Sequence, residues 1–246
     1  MLIGSMNTPI YAIGDIHGQL GMLEDALDLI DRDGGGRVVF LGDYVDRGPD
    51  SRGVVDLLSR GLREGRDWIC LKGNHDRFFE WFLENPPRQD PHLLVGYHWF
   101  HEVIGGSDTI AAYGITLPKQ VRLKDLAMQV REAVPQLHMD FLRELHLSHA
   151  EQGLFFAHAG VRPGVALDRQ DEEDLLWIRQ EFLKDTRDHG AFIVHGHTPV
   201  MQPERHPNRV NLDTGAGYAR PLSVAVFDDN DCFVLGRRGR EAFPDL

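Results

Sequence analysis

The sequence has little cysteine and no long hydrophobic run. Its 246 residues include only two cysteines, Cys70 and Cys232, each inside a short apolar segment where a small buried side chain is expected. A disulfide framework is therefore not expected. No segment approaches the roughly 20 apolar residues that span a bilayer, and residues 1–6 lack the basic and apolar stretches of a secretion signal. The sequence predicts a soluble, cytoplasmic protein with no membrane partner.

Basic residues are also scarce relative to acidic ones. The chain has 26 Lys and Arg against 38 Asp and Glu, a formal net charge of -12. Because sequence-independent binding of nucleic acid relies on clustered positive charge, no nucleic-acid partner is predicted, and any affinity for phosphate must be local. No repeat or interdomain linker divides the chain, and its length suffices for one full core. Residues 1–246 are therefore predicted to form a single domain.

Short apolar runs alternate with amphipathic stretches in the first third of the chain. Period-2 and helix-period spacing predict strands and helices in turn, at residues 10–13, 20–30, 38–41, 54–62, 68–71 and 78–83. This alternation predicts an α/β fold with parallel strands. From about residue 85 to 150, Pro and Gly interrupt weakly amphipathic pieces such as 123–134 and 141–147. We expect a mostly helical insertion there, in which the aromatic stretch 97–101 packs on the core without a functional role.

The last third of the chain is predicted to add further strands and one helix. A strand at 154–157 precedes a helix at about 174–183, and a second strand follows at 192–194. Three more apolar runs, joined by Gly and Asp-Asn turns, predict one antiparallel closing sheet. These runs are residues 210–212, 222–227 and 232–235.

Five of the predicted strands end at a side chain that can bind a metal. Four share an apolar–Gly–ligand pattern and the fifth runs directly into a histidine: Gly14-Asp15, Gly42-Asp43, Gly73-Asn74, Gly196-His197 and Ala157-His158. The carboxyl ends of strands in an open α/β sheet converge on one crevice. The first three ligands are each separated by close to the roughly 30 residues of a βαβ unit. We therefore expect these side chains to meet.

The ligand set contains carboxylates, imidazoles and an amide but no thiolate. Such a set suits divalent manganese, iron or zinc, and manganese is the expected ion. Two ions match the number of ligands: Asp15 and His17 are predicted to bind one, and Asp43 to bridge to the other. The second ion is expected to bind Asn74, His158 and His197. His195 competes with His197, but the Gly–ligand pattern favours His197 and leaves His195 behind it.

Four further residues complete a predicted phosphoryl-transfer site. Arg47 and Arg179 can each bind non-bridging phosphate oxygens with a forked guanidinium. His75 follows Asn74 directly and is predicted to act as general acid for the leaving oxygen. Asp46 is predicted to orient the His75 imidazole and keep it protonated. A pair of metal ions would clamp the attacking and leaving oxygens and supply hydroxide at neutral pH.

The motifs together resemble those of a known enzyme family. They are Gly-Asp-Ile-His-Gly (14–18), Gly-Asp-Tyr-Val-Asp-Arg-Gly (42–48), Gly-Asn-His-Asp (73–76), His-Ala-Gly (158–160) and Gly-His-Thr (196–198). Their order is similar to that of the PPP branch, the serine/threonine protein phosphatases, of the calcineurin-like metallophosphoesterases. The resemblance implies a four-layer α/β/β/α sandwich, a dinuclear centre often filled by manganese, and the residue roles given above.

The resemblance leaves the substrate open between two classes. The first expectation is hydrolysis of phosphoserine or phosphothreonine in proteins, or of small phosphate esters, without a phosphoenzyme. However, Asp76 and Ala159 stand where eukaryotic members have Glu and Gly, and both features occur in a bacterial branch that hydrolyses diadenosine tetraphosphate. The alternative is therefore a dinucleotide or other nucleotide hydrolase.

Two other functions are disfavoured by particular residues. Sister branches that cleave nucleic acids or cyclic nucleotides resemble Gly-His-x-His at the last motif, whereas this chain has Pro199 at that point. A non-catalytic protein that only binds phosphorylated partners would need no general acid. The presence of His75, Asp46 and Arg47 argues against it.

Overall fold

The structure is a computed structural model that describes residues 8–95, 97–229 and 231–245. Residues 1–6, where a secretion signal is not expected, lie outside the described residues. In these ranges no helix is both long and apolar enough to cross a bilayer. The helices and strands, in chain order, are β1 (Ile10–Ile13), α1 (Leu20–Arg32), β2 (Arg37–Phe40), α2 (Ser51–Arg63), β3 (Trp68–Cys70), α3 (Asn74–Phe82), α4 (Gly106–Ala112), α5 (Leu123–Ala133), α6 (Gln136–Glu144), β4 (Ser148–Glu151), β5 (Leu154–Ala157), α7 (Glu172–Trp177), α8 (Gln180–Leu183), β6 (Phe192–His195), β7 (Glu204–Arg205), β8 (Arg209–Asn211), β9 (Val224–Asp228), β10 (Asp231–Gly236) and β11 (Gly239–Glu241).

The strands form two sheets. The first has the order β11-β10-β9-β1-β2-β3, and the second has the order β4-β5-β6-β8-β7. The predicted parallel pairing of the first three strands is confirmed, because β1 pairs with β2 and β2 with β3 in parallel. On its other side β1 pairs antiparallel with β9, with Ile10 opposite Phe227.

The predicted closing sheet is wrong for one of its three strands. β9 and β10 do form an antiparallel hairpin in the first sheet, but β8 lies in the second sheet and pairs parallel with β6. All three residues of β8 are buried, so the strand belongs in the interior of a sheet. Its link to β9 is the long loop 212–223, which passes through the candidate site instead of making a tight turn.

Side-chain alternation along β1 shows how the layers stack. Ile10 and Ala12 pack against residues of the second sheet, such as Phe156 and Val194. Tyr11 and the rest of the opposite face pack under the helices that cover the first sheet, α1, α2, α3, α5 and α6. The outer face of the second sheet packs under residues of α7 and α8. The fold is therefore the four-layer α/β/β/α sandwich that the resemblance implies.

Residues 85–150 contain α4, α5, α6 and most of the edge strand β4. The helix predicted at 141–147 instead occupies Gln136–Glu144 and begins directly after Pro135, a residue favoured at helix starts. α4 and α6 lie against α2, α6 also lies against α3, and the buried residues of α5 belong to the same core cluster. This segment therefore covers the same side of the first sheet as the βα units.

Candidate active site

The six candidate metal ligands lie in loops or at a helix start, just beyond strand ends. Asp15 and His17 follow β1, Asp43 follows β2, and Asn74 begins α3 after β3. The second sheet contributes a histidine after β5 and another after β6. All six side chains are buried: Asp15, His17, Asp43, Asn74, His158 and His197. The two sheets therefore converge at one edge of the sandwich, as the strand-end pattern predicts.

Asp15, His17 and Asp43 form the first part of this group. The Nε2 atom of His17 lies 3.5 Å from Asp43 Oδ2. His17 Nδ1 donates a hydrogen bond to the Val45 carbonyl oxygen at 2.8 Å, so its Nε2 atom carries the lone pair. The Asp15 carboxylate accepts the backbone N–H of His197 at 3.1 Å, which joins the exit loops of β1 and β6.

Asn74, His158 and His197 form the second part. Asn74 Oδ1 lies 2.9 Å from His158 Nε2 and 2.8 Å from His197 Nδ1. His158 Nε2 is also 3.5 Å from Asp43 Oδ1, so Asp43 lies between the two parts. His195 points elsewhere: its Nε2 atom accepts a hydrogen bond from Arg209 at 3.2 Å. The structure thus places His197, and not His195, in the group.

These residues fit divalent metal ions. Burial raises the pKa of Asp15 well above its usual value, and the nearby charges of Asp213 and Asp43 act in the same direction. Burial lowers the pKa of His158 and His197, so both imidazoles are neutral and have a lone pair to donate. His197 Nε2 is buried without a hydrogen-bond partner. A divalent cation would stabilise these crowded carboxylates, and the oxygen and nitrogen donors match its preference.

Several site residues have unusual backbone conformations. Five non-glycine residues have positive φ angles between 48° and 73°: His17, Asp43, Asp46, Arg47 and His197. Such conformations cost about 1–3 kcal/mol each and persist only where the surroundings enforce them. One enforcing contact is the fully buried carboxylate of Asp76, which accepts the N–H groups of Asp43, Tyr44 and Gly73 at 2.8–2.9 Å.

Two of the glycines before the ligands are required by close contacts. A Cβ atom on Gly73 would collide with the carboxylate of Asp43, and one on Gly196 would collide with that of Asp15. The apolar–Gly–ligand pattern therefore reflects the tight approach of neighbouring exit loops.

His75, Asp46 and Arg47 lie together beside the ligand group. His75 Nδ1 is 2.6 Å from Asp46 Oδ2, and the backbone N–H of His75 donates to Asp43 Oδ1 at 2.9 Å. The Arg47 guanidinium lies 3.1 Å from His75 Nε2 and 2.7 Å from His17 Nε2. Since a guanidinium only donates, both nitrogens accept, and the proton of His75 is on Nδ1, facing Asp46.

Arg179 lies at a break between two helices. The single helix predicted at 174–183 is wrong, because α7 ends at Trp177 and α8 begins at Gln180. Ile178 is extended, and Arg179 has φ -132° and ψ -96°. The break lets the Arg179 guanidinium contact Thr198 Oγ1 at 3.2 Å, next to His197. The apolar spacing of residues 174–183 is that of one continuous helix, so the sequence does not indicate this turn.

Three residues of the loop 212–223 lie at the site but are not among the residues that the sequence motifs predict. Burial raises the pKa of Asp213 to about 6. A Cβ on Gly217 would lie 2.7 Å from the His17 ring, so this loop packs directly on the site. Tyr218 is exposed, with its ring centre 5.0 Å from the Arg47 guanidinium carbon. The run Leu212-Asp213, again a strand followed by a carboxylate, is the signal that could have indicated this loop.

Comparisons with known proteins agree with this geometry. Residues 8–212 match the family model for calcineurin-like phosphoesterases. The chain is similar to an asymmetrical bis(5'-nucleosyl)-tetraphosphatase, PrpE, of Oceanobacillus iheyensis, at 26% identity over 93% of this chain and 92% of that protein. The protein of the same name from Bacillus mycoides is also 26% identical, over 86% and 87%.

Solved structures show the same fold. A protein provisionally named a diadenosine tetraphosphatase has a TM-score of 0.64 and 23% identity over 95% of both chains. A serine/threonine phosphatase of Saccharomyces cerevisiae has a TM-score of 0.55 and 15% identity, over 99% of this chain and 83% of that one. The family match covers most of the chain, including all six candidate metal ligands and the strands that precede them. The chain therefore belongs to the calcineurin-like phosphoesterases, a family of metal-dependent hydrolases.

Proposed function

We propose that this phosphoesterase hydrolyses dinucleoside polyphosphates, with diadenosine tetraphosphate as the expected substrate and two unequal nucleotides as products. The relatives named for this activity align over about nine-tenths of the chain. They favour the dinucleotide over the phosphoprotein that the sequence motifs first suggested.

The observation that carries this proposal is the pairing of Tyr218 with Arg47. The exposed tyrosine ring lies 5.0 Å from the guanidinium that is expected to bind phosphate. A nucleoside polyphosphate has a base a short distance from its phosphates, and a base stacks well on an aromatic ring. A phosphorylated serine has no aromatic group at that distance.

The proposed ligand roles follow the two parts of the group. Asp15 and His17 would hold one divalent ion, Asp43 would bridge, and the second ion would be held by Asn74, His158 and His197. Bound there, a metal pair lowers the pKa of a water molecule and neutralises phosphate charge.

The remaining residues bind phosphate and handle the proton. Arg47, beside His17 and His75, and Arg179, beside Thr198, are expected to donate to phosphate oxygens. Arg47 now donates to His75 Nε2, so a phosphate that takes over this hydrogen bond frees Nε2 to take a proton from water. As a water-derived hydroxide bonds to phosphorus and the bond to the leaving oxygen breaks, His75 gives that proton to the leaving oxygen, while Asp46 holds Nδ1.

The test compares three substrates with the manganese-loaded protein: diadenosine tetraphosphate, a phosphoserine peptide and a phosphodiester. We expect kcat/KM to be highest for the dinucleotide, with ATP and AMP formed in equal amounts. Two molecules of ADP would contradict unequal cleavage, and a preference for the peptide would overturn the substrate assignment.

Tyr218 provides a matched pair of variants. Tyr218→Ala should raise KM for the dinucleotide roughly 5- to 100-fold, since stacking contributes about 1–3 kcal/mol per base. Tyr218→Phe keeps the ring and should stay close to wild type. Equal effects of both variants would show that the ring does not contact a base.

Hydrolysis of phosphoserine or phosphothreonine is the second candidate function. It is favoured by the buried His75–Asp46 pair, with 2.6 Å between Nδ1 and Oδ2. A general acid helps an alkoxide leaving group more than a polyphosphate, which leaves readily without a proton.

A further inference from the structure

We infer that the segment 99–109, within the region between α3 and α5, positions Asp46 and, through it, His75. The inference rests on the proposed role of His75 as general acid. It assigns a function to a stretch whose aromatic residues were expected only to fill the core.

The Asp46 carboxylate is fully buried and bound by three side chains. Oδ2 faces His75 Nδ1 at 2.6 Å and accepts the Trp99 indole N–H at 2.9 Å. Oδ1 accepts the Thr109 hydroxyl at 2.6 Å. Two of the three donors therefore come from the segment 99–109, and they leave the carboxylate little freedom to rotate.

Thr109 also fixes the backbone at Asp46. Its Oγ1 atom accepts the Asp46 N–H at 2.8 Å while its proton is donated to the Asp46 side chain. Asp46 has a positive φ of 73°, a conformation that needs support from its surroundings. One hydroxyl group thus supports both the strained backbone and the carboxylate.

The two adjacent glycines of the segment allow this close packing. A Cβ on Gly106 would lie 2.5 Å from the Trp99 indole, and one on Gly105 would lie 2.5 Å from the backbone nitrogen of Arg47. The Arg47 N–H and Nε–H point to the carbonyl oxygens of Gly105 and Val103, each at 3.4 Å. The segment therefore contacts the backbones of both Asp46 and Arg47.

Trp99 itself is held rigidly. Its ring stacks on Phe79 of α3, with 5.3 Å between ring centres and 24° between planes, and packs against Phe82. Since α3 also carries Asn74 and His75, the indole links Asp46 to the helix that carries its partner. Loss of the indole N–H would leave the imidazole in place but free the carboxylate that orients it.

The kinetic test uses the variants Thr109→Val, which keeps the side-chain shape, and Trp99→Phe, which keeps an aromatic ring; each removes one donor. Their kcat is measured for an alkyl phosphate and for nitrophenyl phosphate, whose leaving group needs little protonation. We expect the loss on the alkyl phosphate to exceed the loss on nitrophenyl phosphate by at least about tenfold, because general acid catalysis contributes roughly 10²–10⁴. Trp81→Phe and Thr116→Val, outside the site, should show no such difference.

The kinetic outcomes separate this inference from the proposed function. His75→Asn should show the largest difference between the two substrates. If His75→Asn affects both substrates equally, the acid role itself fails. If His75→Asn discriminates between them but Trp99→Phe and Thr109→Val do not, the inference for the segment is overturned.

A spectroscopic measurement needs no turnover. In a ¹H–¹⁵N spectrum, the Trp99 indole signal, assigned by its absence in Trp99→Phe, should lie downfield of the other three indoles because it donates to a buried carboxylate at 2.9 Å. It should move upfield in Asp46→Asn and stay in place in Asp28→Asn. An indole signal that does not respond to Asp46→Asn would overturn the inference, even where a kinetic variant folds poorly.

Discussion

Replacing Asp76 by asparagine would test how the exit loops of the first sheet are held. The carboxylate of Asp76 is inaccessible to solvent and accepts three backbone N–H groups. Oδ2 binds those of Asp43 and Gly73, and Oδ1 binds that of Tyr44. Asparagine has the same shape, but it has only one acceptor oxygen.

These contacts determine how far the substitution lowers the free energy of unfolding. If the amide oxygen keeps the hydrogen bonds from the N–H groups of Asp43 and Gly73, the new NH₂ group faces the N–H of Tyr44. Two donors then oppose each other in an environment without water. One hydrogen bond to a charged acceptor is lost and one buried donor is left without a partner, a total of about 3–5 kcal/mol. At roughly 2–4 °C per kcal/mol for a chain of this size, the melting temperature should fall by about 10 °C.

Urea unfolding of the protein in excess chelator measures this change without a contribution from metal binding. The midpoint should fall with little change in slope. Asp28→Asn is the matched control, since that side chain is 69% exposed, and it should shift the unfolding free energy by less than about 0.5 kcal/mol. An Asp76→Asn variant whose unfolding free energy lies within that margin of wild type would refute the proposed role of Asp76 in holding the exit loops.

Asp76→Glu introduces the residue found in eukaryotic members of the family. It should lower the free energy of unfolding by about 1–3 kcal/mol through overpacking.

Three further changes have distinct expected outcomes. Arg77→Met leaves the buried Asp90 carboxylate without its arginine partner, with only His92 beside it, and should cost about 3–5 kcal/mol in urea unfolding. Arg88→Met, at a half-exposed side chain, should cost about 1 kcal/mol or less. Gly217→Ala would push on the ring of His17 and should lower kcat/KM roughly 10- to 100-fold, while Gly21→Ala, in open space, should not. Chelation should abolish activity and lower the melting temperature, and manganese should restore both; unchanged values would contradict a metal site.

Much of the first sheet could be predicted because its signals are local. Each of the first three strands is a short apolar run, and each following helix has apolar residues at helical spacing, as in Leu23, Ala26 and Ile30. The glycines before the ligands could be interpreted as well, because close approach is a property of glycine at any such turn. These features need no knowledge of distant contacts.

The parts that were missed depend on contacts between distant residues. The apolar run at 210–212 looks the same in either sheet, and only packing against β6 decides its place. The helix break before Arg179 has no proline or glycine to indicate it. The apolar residues around Trp99 make it look like an ordinary core residue in the sequence. The acceptor of its indole N–H is Asp46, 53 positions earlier in the chain, and no local pattern indicates that contact.

The pairing of β1 with β9 has a consequence for synthesis of the protein on the ribosome. Residues 10–13 are made early, yet their antiparallel partner begins at Val224, so one edge of β1 stays unpaired until β9 has emerged. The loop 212–223, which packs on His17, is completed at the same late stage. We therefore expect nascent chains to acquire activity only after β9 and this loop have left the ribosome, and the exposed edge of β1 to be the region where a chain stalled earlier associates with others.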